Sequence, residues 1–234
     1  MVTFSGHLKI VRPLYTGVDR LRLLPHGGAR KRSGSSSSLS AKQVSTLVTA
    51  AAVSMTMGVP LNRFITVQWG ALGLSDAQSS KATQKLLTRA RDWLRDNGGQ
   101  GVWIWVREYA VGQTKGAHLH WLVHLPETHR RQFLGLLKRW VLASAGGQVY
   151  RAGVILSRPV GVRVDDYLTS PQSHALNLRA TLAYCLKGLT PKASKVAIEG
   201  LESIYASSIA AMPHAGSGGN VVGKRAGVSR ILGK

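Results

Sequence analysis

His118 and His120 are the side chains whose type and spacing first suggest chemistry. Residues 117–125 (AHLHWLVHL) have the composition of a β-strand, and side chains two apart on a strand project from the same face. Two imidazoles presented together in this way are a natural pair of metal ligands. Spacing alone does not establish such a site, because a His-x-His pair arises easily by chance.

Glu108 supplies a candidate third ligand from a neighbouring strand. It lies in residues 101–110 (GVWIWVREYA), which the short connection VGQTKG joins to the histidine strand as a predicted hairpin. A register that pairs Glu108 with either histidine puts all three side chains on one face, with opposed Cβ atoms about 5 Å apart. A register that pairs it with Leu119 leaves the ligand set incomplete. Two imidazoles and one carboxylate leave coordination positions open, which a catalytic metal needs.

Tyr184 and Lys187 form a second candidate pair. They lie in residues 176–187 (LNLRATLAYCLK), which we interpret as a helix ended by Gly188 and Pro191. Residues three apart on a helix are neighbours, so the two side chains can act at one place. A tyrosine hydroxyl becomes a useful nucleophile when a cation stabilises its phenolate and a metal polarises the electrophile.

Each of these residues also has a purely structural interpretation. Glu108 can instead form an ion pair within the hairpin, with Arg107 or Lys115. Tyr184 also fits a half-buried core tyrosine beside a surface lysine. His124 is in phase with the other two histidines of its strand, but its position near the strand end predicts packing rather than ligation.

The elements that must position these side chains are those of an α/β (α+β) domain. A strand over residues 63–69 precedes a helix whose start carries a capping-box signature, Ser75 followed by Gln78. Further helices are predicted over residues 44–60, 127–142 and 176–187, and weaker strands near residues 149–156 and 160–164. This order predicts a central, mainly antiparallel sheet with helices packed on it.

The composition indicates a polyanionic partner. The 234-residue chain carries 31 Lys and Arg against 10 Asp and Glu, a formal net charge of +21. A hydrophobic fraction of 44% excludes a wholly disordered basic tail. The single cysteine, Cys185, excludes a disulfide framework and a multi-cysteine zinc site, and predicts an intracellular, reduced protein. No apolar run is long enough to predict a membrane segment.

Three regions are predicted along the chain. Residues 1–40 end in GGARKRSGSSSSLS, which is typical of a flexible basic arm or of a linker without a partner. Residues 41–190 form the folded domain that carries the candidate site. Residues 191–234 are a basic, glycine-rich extension, whose segment NVVGKRAGVSRILGK can form a final strand or a tail that contacts DNA.

The ordered combination of FITV, E-x(9)-H-L-H and a later Y-x-x-K resembles the HUH endonucleases. Within them it is most similar to the rolling-circle replication initiator proteins with a single catalytic tyrosine, over residues 61–190. Plasmid-mobilisation relaxases usually place the tyrosine before the histidine pair, whereas here it follows. No second tyrosine lies at a helical repeat from Tyr184.

This resemblance implies a Mg²⁺ or Mn²⁺ site formed by Glu108, His118 and His120. It also implies that Tyr184 attacks a phosphodiester of single-stranded DNA, forming a 5′-phosphotyrosine link, and that Lys187 supports the phenolate or the phosphate. The freed 3′ hydroxyl would prime rolling-circle replication from single-stranded DNA or an origin hairpin.

The partners follow from the same resemblance. The sequence has no P-loop motif, so a host helicase and a polymerase are expected to act with the chain. The expected setting is the bacterial cytoplasm, with the gene on a plasmid or phage. Two alternatives stay open: a one-tyrosine transposase with the same chemistry, and a non-catalytic nucleic-acid-binding protein, for which the five candidate site residues are coincidence.

The remaining basic residues are candidates for gripping the phosphate backbone of DNA. These candidates lie on the predicted helix that follows Ser75 and on the predicted helix over residues 127–142: Lys81, Lys85, Arg89, Arg130, Arg131, Lys138 and Arg139. Each of them also fits a solvated helix face. Four strand tryptophans can stack unpaired bases or pack in the core: Trp69, Trp103, Trp105 and Trp121. Trp121 is out of phase with the histidines, which predicts that it faces the helix-packed side.

Overall fold

The structure, a computed structural model, describes residues 34–110, 116–163, 165–187, 189–204 and 219–233. Its strands are β1 (Ser35–Ser36), β2 (Arg63–Gln68), β3 (Trp103–Ala110), β4 (Gly116–Val123), β5 (Ile155–Pro159), β6 (Val221–Val222) and β7 (Ala226–Val228). Its α-helices are α1 (Ala41–Thr56), α2 (Asp76–Asp96), α3 (Glu127–Ser144), α4 (Asp166–Thr169), α5 (Pro171–Cys185) and α6 (Pro191–Ile204).

Five strands form one antiparallel sheet in the order β5-β2-β4-β3-β7. The short strands β1 and β6 pair with each other as a second sheet. Helices pack on both faces of the five-stranded sheet. The predicted class, α/β with a central antiparallel sheet and helices packed on it, is confirmed.

Strand alternation gives the five-stranded sheet two different faces. The tryptophan face carries the odd-numbered residues of β2, β3 and β4, including Ile65, Trp105 and Trp121, and packs against α2 and α3. The histidine face carries the even-numbered residues, including Phe64 and Leu122, and packs in part against α1, α5 and α6. Trp121 therefore lies on the helix-packed side opposite the histidines, as predicted.

The start of α2 has the capping box that the sequence predicts. The Ser75 amide donates to Gln78 Oε1 at 2.8 Å, and the Gln78 amide donates to Ser75 Oγ at 3.3 Å. These bonds satisfy two amide donors that a helix start otherwise leaves to solvent. The helix ends at Asp96, next to Asn97 and Gly98, where the predicted stop signal lies.

A Ser75→Ala variant is expected to lose about 1 kcal/mol of unfolding free energy, because the cap hydroxyl is removed while the helix stays otherwise intact. Urea unfolding followed by circular dichroism measures the change. Ser203→Ala is the matched control, since that exposed hydroxyl only bonds the Gly200 carbonyl within α6. Equal unfolding midpoints for Ser75→Ala and the control would contradict the capping role.

Two sequence-based boundaries are wrong in detail. The helix predicted over residues 176–187 begins at Pro171 instead, because proline fits the first helical turn. It ends at Cys185, which leaves Lys187 just beyond the helix. The two weak strands near residues 149–156 and 160–164 are replaced by the single strand β5, and residue 164 lies outside the described residues. β5 becomes a strand through its pairing with β2, which its own sequence does not reveal.

The segments on either side of residues 41–190 also contribute to the described fold. Residues 1–33 of the predicted arm lie outside the described residues, whereas β1 pairs with β6 near the other end of the chain. β7 pairs with β3 at one edge of the five-stranded sheet. α6 packs closely on α1, since a Cβ at Gly200 would lie 2.7 Å from Val48 Cγ1.

The Arg107 side chain connects the segment that contains β6 to the start of α2. The side chain is 1% exposed and donates to the Val222 carbonyl at 2.9 Å. It also pairs with Asp76 in the first turn of α2 and donates to Ser79 Oγ at 2.7 Å. A buried guanidinium needs such partners, because an unpaired buried charge is strongly destabilising. Among the described residues, no helix is long and apolar enough to span a membrane.

Candidate metal centre and cleft

The pairing of β3 with β4 brings the three predicted ligands together. Glu108 lies directly opposite His118, and His120 lies opposite Thr66 on the other neighbouring strand, β2. This is the register that the ligand set requires, so all three side chains share the histidine face. The prediction that Glu108 and the two histidines converge is confirmed.

A single carboxylate oxygen links the cluster. Glu108 Oε2 lies 2.9 Å from His118 Nε2 and 3.3 Å from His120 Nε2. Glu108 and His120 are 6% and 2% exposed, whereas the His118 side chain retains 13% exposure. His118 therefore marks the side from which a ligand can approach. The ion pair of Glu108 with Arg107 does not form, because Arg107 projects from the tryptophan face to Asp76.

The other ring nitrogens are oriented by neighbours. His118 Nδ1 lies 3.2 Å from the Gly116 carbonyl oxygen, which only accepts, so Nδ1 carries a proton. His120 Nδ1 lies 3.1 Å from Thr66 Oγ1. A threonine hydroxyl can donate or accept, so it suits either tautomer of His120. With a metal ion bound, each histidine would present its Nε2 lone pair to the ion and keep a proton on Nδ1, where these neighbours orient the ring.

The electrostatics favour the forms that bind metals. Burial raises the pKa of the Glu108 carboxyl, but hydrogen bonds from the two histidines and the charge of Lys187 outweigh burial and hold that pKa far below its usual range. Burial lowers the pKa of the His120 imidazole, and this prevails over the opposing effect of Glu108. An anionic carboxylate and a neutral imidazole are the protonation states required of metal ligands.

The three residues therefore fit a divalent metal ion. One ligand atom from each residue lies within 4.8 Å of the other two. The second oxygen of the carboxylate, Oε1, is buried and has no hydrogen-bond partner, although buried polar atoms rarely go unpaired. A bound cation would satisfy that oxygen and both Nε2 lone pairs at once. Glu108, His118 and His120 can thus hold a divalent metal, as predicted.

A Thr66→Val variant is expected to weaken divalent-metal binding about tenfold, because it removes the group that orients the His120 ring while nearly preserving side-chain shape. Titration calorimetry with Mn²⁺ measures the affinity. Thr46→Val is the control, since that hydroxyl bonds the Lys42 carbonyl on the surface of α1. Unchanged affinity in Thr66→Val would show that the threonine does not position the ligand.

Tyr184 and Lys187 lie beside this cluster. The Tyr184 ring is in the last turn of α5, and its centroid is 5.3 Å from that of His120. Lys187 Nζ lies 3.7 Å from the centre of the Tyr184 ring and 3.4 Å from Glu108 Oε2. The two side chains are neighbours although Lys187 is outside the helix. The structure thus brings together all five residues predicted for the metal and the chemistry.

An open cleft of about 500 Å³ exposes this cluster to solvent. Its lining includes Tyr184, both ligand histidines and residues of β2 and β5 on the histidine face. Phe64 forms part of the floor, with its ring stacked on His120 at a centroid distance of 5.6 Å. A tyrosine side chain, two histidines of a group that can hold a metal ion, and open space therefore share one cavity.

Three residues that line the cleft were not predicted from the sequence: Phe64, Thr66 and Arg158. Thr66 and Phe64 follow the period-two pattern of β2, so the parity argument applied to the histidine strand would have placed them on the same face once the strand pairing was known. Arg158 lies on β5, whose position as a strand was not predicted. No spacing motif connects Arg158 to the other residues of the cleft.

The basic residues predicted to bind DNA lie elsewhere. Lys81, Lys85 and Arg89 are on α2, and Arg130, Arg131, Lys138 and Arg139 are on α3. Both helices cover the tryptophan face, on the opposite side of the sheet from the cleft. The four strand tryptophans are at most 6% exposed, so the interpretation that they stack bases is wrong. A strand bound in the cleft alone would not touch these helices.

His124 is not part of the cluster. It is 6% exposed, and its Nδ1 lies 2.7 Å from the Pro60 carbonyl oxygen. Its ring contacts Tyr167 of α4 at a centroid distance of 6.0 Å. The predicted packing role near the strand end is confirmed.

Comparison of the chain with protein families, with curated proteins and with solved structures found no match.

Proposed function

We propose that this protein cleaves and rejoins single-stranded DNA with Tyr184 as the nucleophile, in the manner of a single-tyrosine HUH endonuclease that initiates rolling-circle replication. One observation carries the proposal: a tyrosine lines the same cleft as a buried Glu-His-His cluster. Two imidazoles and one carboxylate leave coordination sites open for substrate, as catalytic metal sites do. The net charge of +21 suits a polyanionic substrate.

Glu108, His118 and His120 would hold Mg²⁺ or Mn²⁺. When bound, such an ion supplies Lewis-acid chemistry at a phosphoryl oxygen and offsets developing negative charge. Both ions accept carboxylate ligands, and the imidazoles favour Mn²⁺ over Mg²⁺. Burial of the carboxylate keeps its charge poorly screened by solvent, which strengthens its hold on a cation.

Tyr184 would attack the phosphorus of a phosphodiester. Its phenolic oxygen loses a proton and bonds to phosphorus, while the bond from phosphorus to the 3′ oxygen breaks. The departing 3′ oxygen takes up a proton and becomes the hydroxyl that primes synthesis, and the reverse reaction rejoins the strand. Lys187, above the face of the Tyr184 ring, would support the phenolate or the phosphate by its charge.

Long circular single-stranded DNA tests the proposal, because it presents many sequences when the target is unknown. Incubation with Mn²⁺ is expected to give linear DNA that carries covalently attached protein on a denaturing gel. A chelator is expected to abolish both products. DNA that stays circular and free of protein in Mn²⁺ and in Mg²⁺ would contradict the proposal and favour a non-catalytic nucleic-acid-binding protein.

A further inference from the structure

The cleft has a second lobe on the far side of Tyr184. This lobe has a volume of about 340 Å³ and is lined by the end of β5, the residues that follow it and one side of α5. Among the described residues, Tyr184 and Arg158 line both lobes, so they mark the place where the lobes meet, which we call the passage. A DNA strand that has a phosphate at Tyr184 can therefore place nucleotides on both sides of this passage.

Arg158 lies at the passage, against an aromatic ring. It is an exposed residue of β5 at the edge of the sheet, and its guanidinium carbon lies 5.1 Å from the centre of the Phe64 ring. Phe64 in turn stacks on His120, so the arginine continues a column that begins at the metal site. Among the described residues, no Asp or Glu forms an ion pair with Arg158.

Lys187, the other cation beside Tyr184, already contacts the Glu108 carboxylate at 3.4 Å. Arg158 differs in that it lines both lobes and forms no ion pair with an acidic side chain of the described residues. A guanidinium whose flat face is supported by an aromatic ring keeps its edge N–H groups for a ligand. Phosphate is the anion whose geometry matches that edge.

The α5 wall of the second lobe presents hydrogen-bond acceptors. Asn177 Nδ2 donates to the Ser173 carbonyl at 2.7 Å, and Thr181 Oγ1 donates to the Asn177 carbonyl at 2.8 Å. One N–H of the Asn177 amide, its amide oxygen and the lone pairs of the threonine hydroxyl remain for a ligand. The wall therefore offers two acceptors and one donor, which suits a base that donates through an amino group and accepts through the adjacent ring nitrogen.

We propose that the second lobe is a nucleotide subsite, in which Arg158 binds a backbone phosphate and the α5 wall receives a base with an exocyclic amino group. This inference deepens the proposed function and rests on single-stranded DNA as the substrate. The subsite takes the nucleotide next to the phosphate that Tyr184 attacks. It therefore holds the strand on one side of the break while Tyr184 holds the other.

The salt dependence of DNA binding tests the role of Arg158. Binding of labelled single-stranded oligonucleotides of mixed sequence, about 20 nucleotides long, is measured by fluorescence anisotropy over a range of salt concentrations. Arg158→Met is expected to weaken binding about tenfold and to reduce the slope of log affinity against log salt by about 0.7, the contribution of one phosphate contact.

Arg91→Met is the matched control, because it removes the same charge from an exposed position on α2, which lies on the opposite face of the sheet and outside both lobes. It is expected to keep the wild-type slope. An Arg158→Met slope equal to that of wild type would overturn the phosphate contact. Equal losses in the two variants would show only a general effect of net charge, which also overturns it.

The base preference is tested with oligodeoxycytidylate and oligodeoxyuridylate, whose bases differ in an amino group against a carbonyl oxygen. Wild-type protein is expected to favour the cytidine oligomer about fivefold. Asn177→Ala and Thr181→Val are expected to remove most of this preference. An unchanged ratio in both variants would overturn the assignment of the α5 wall.

These binding measurements need no cleavage, so they separate the two proposals. DNA nicking with a wild-type slope in Arg158→Met would leave the proposed function in place and remove the subsite. A lowered slope and a lost base preference without any nicking would leave a nucleotide subsite in a binding protein.

Discussion

A Tyr184→Phe variant is expected to form no covalent protein–DNA adduct and to lose nicking by a factor on the order of 10⁴ or more, since the nucleophilic oxygen is absent. The ring contacts of Tyr184 with His120, Phe64 and Lys187 involve its aromatic ring, which phenylalanine retains. Binding of single-stranded DNA and of Mn²⁺ should therefore change little. Adducts are counted on denaturing gels, and binding is measured by anisotropy and calorimetry.

Tyr167→Phe is the matched control for this variant. Tyr167 lies on α4 and contacts His124 and His174 rather than the cleft, so its loss should leave adduct formation at the wild-type level. Nicking that persists in Tyr184→Phe would remove Tyr184 as the nucleophile. Loss of adduct in both variants would show that tyrosine substitution damages the fold rather than the chemistry.

A Glu108→Gln variant is expected to bind Mn²⁺ at least about 100-fold more weakly than wild type. Replacement of an orienting partner outside the ligand set already costs about 10-fold to 100-fold, and Glu108 is a direct ligand candidate that carries the anionic charge of the site. The amide nearly preserves the shape of the side chain. The variant therefore separates the charge of the ligand from its packing between β3 and β4.

The metal should also stabilise the fold, which gives a readout that needs no DNA. At a free Mn²⁺ concentration of about 100 times its dissociation constant, wild type should gain about 2.7 kcal/mol of unfolding free energy, and Glu108→Gln should gain much less. The control is Glu127→Gln, since that exposed carboxylate only pairs with Arg130 in the first turn of α3. Equal Mn²⁺ affinity in wild type and Glu108→Gln would contradict the site.

The metal cluster could be predicted because its geometry depends on strand parity alone. Once His118 and His120 are on one strand, their shared face follows, and a short hairpin brings Glu108 to the same face in one of only two possible parities. The proximity of Tyr184 to these residues could not be derived in this way. It depends on how α5 packs on the histidine face, which the order of motifs in a family resemblance suggests but local pattern does not.

The second lobe and Arg158 were beyond the reach of the sequence. β5 is short and lies at the edge of the sheet, and its strand character comes from pairing with β2 rather than from its own residues. For a related reason, the sequence could not show which basic residues lie beside the cleft. Their positive charge made Lys85 and Arg131 candidates for phosphate contact, but only the two faces of the sheet reveal that α2 and α3 lie on the side opposite the cleft.

The tryptophans lie on one side of the five-stranded sheet, so their fluorescence reports on that side alone. All six tryptophans lie in or against the core of the tryptophan face: Trp69, Trp93, Trp103, Trp105, Trp121 and Trp140. None lines either lobe of the cleft. Intrinsic tryptophan fluorescence should therefore follow the unfolding of the layer formed by α2 and α3, and should respond little when nucleotides enter the cleft. A fluorescent label on the histidine face would be needed to detect the binding of a DNA strand.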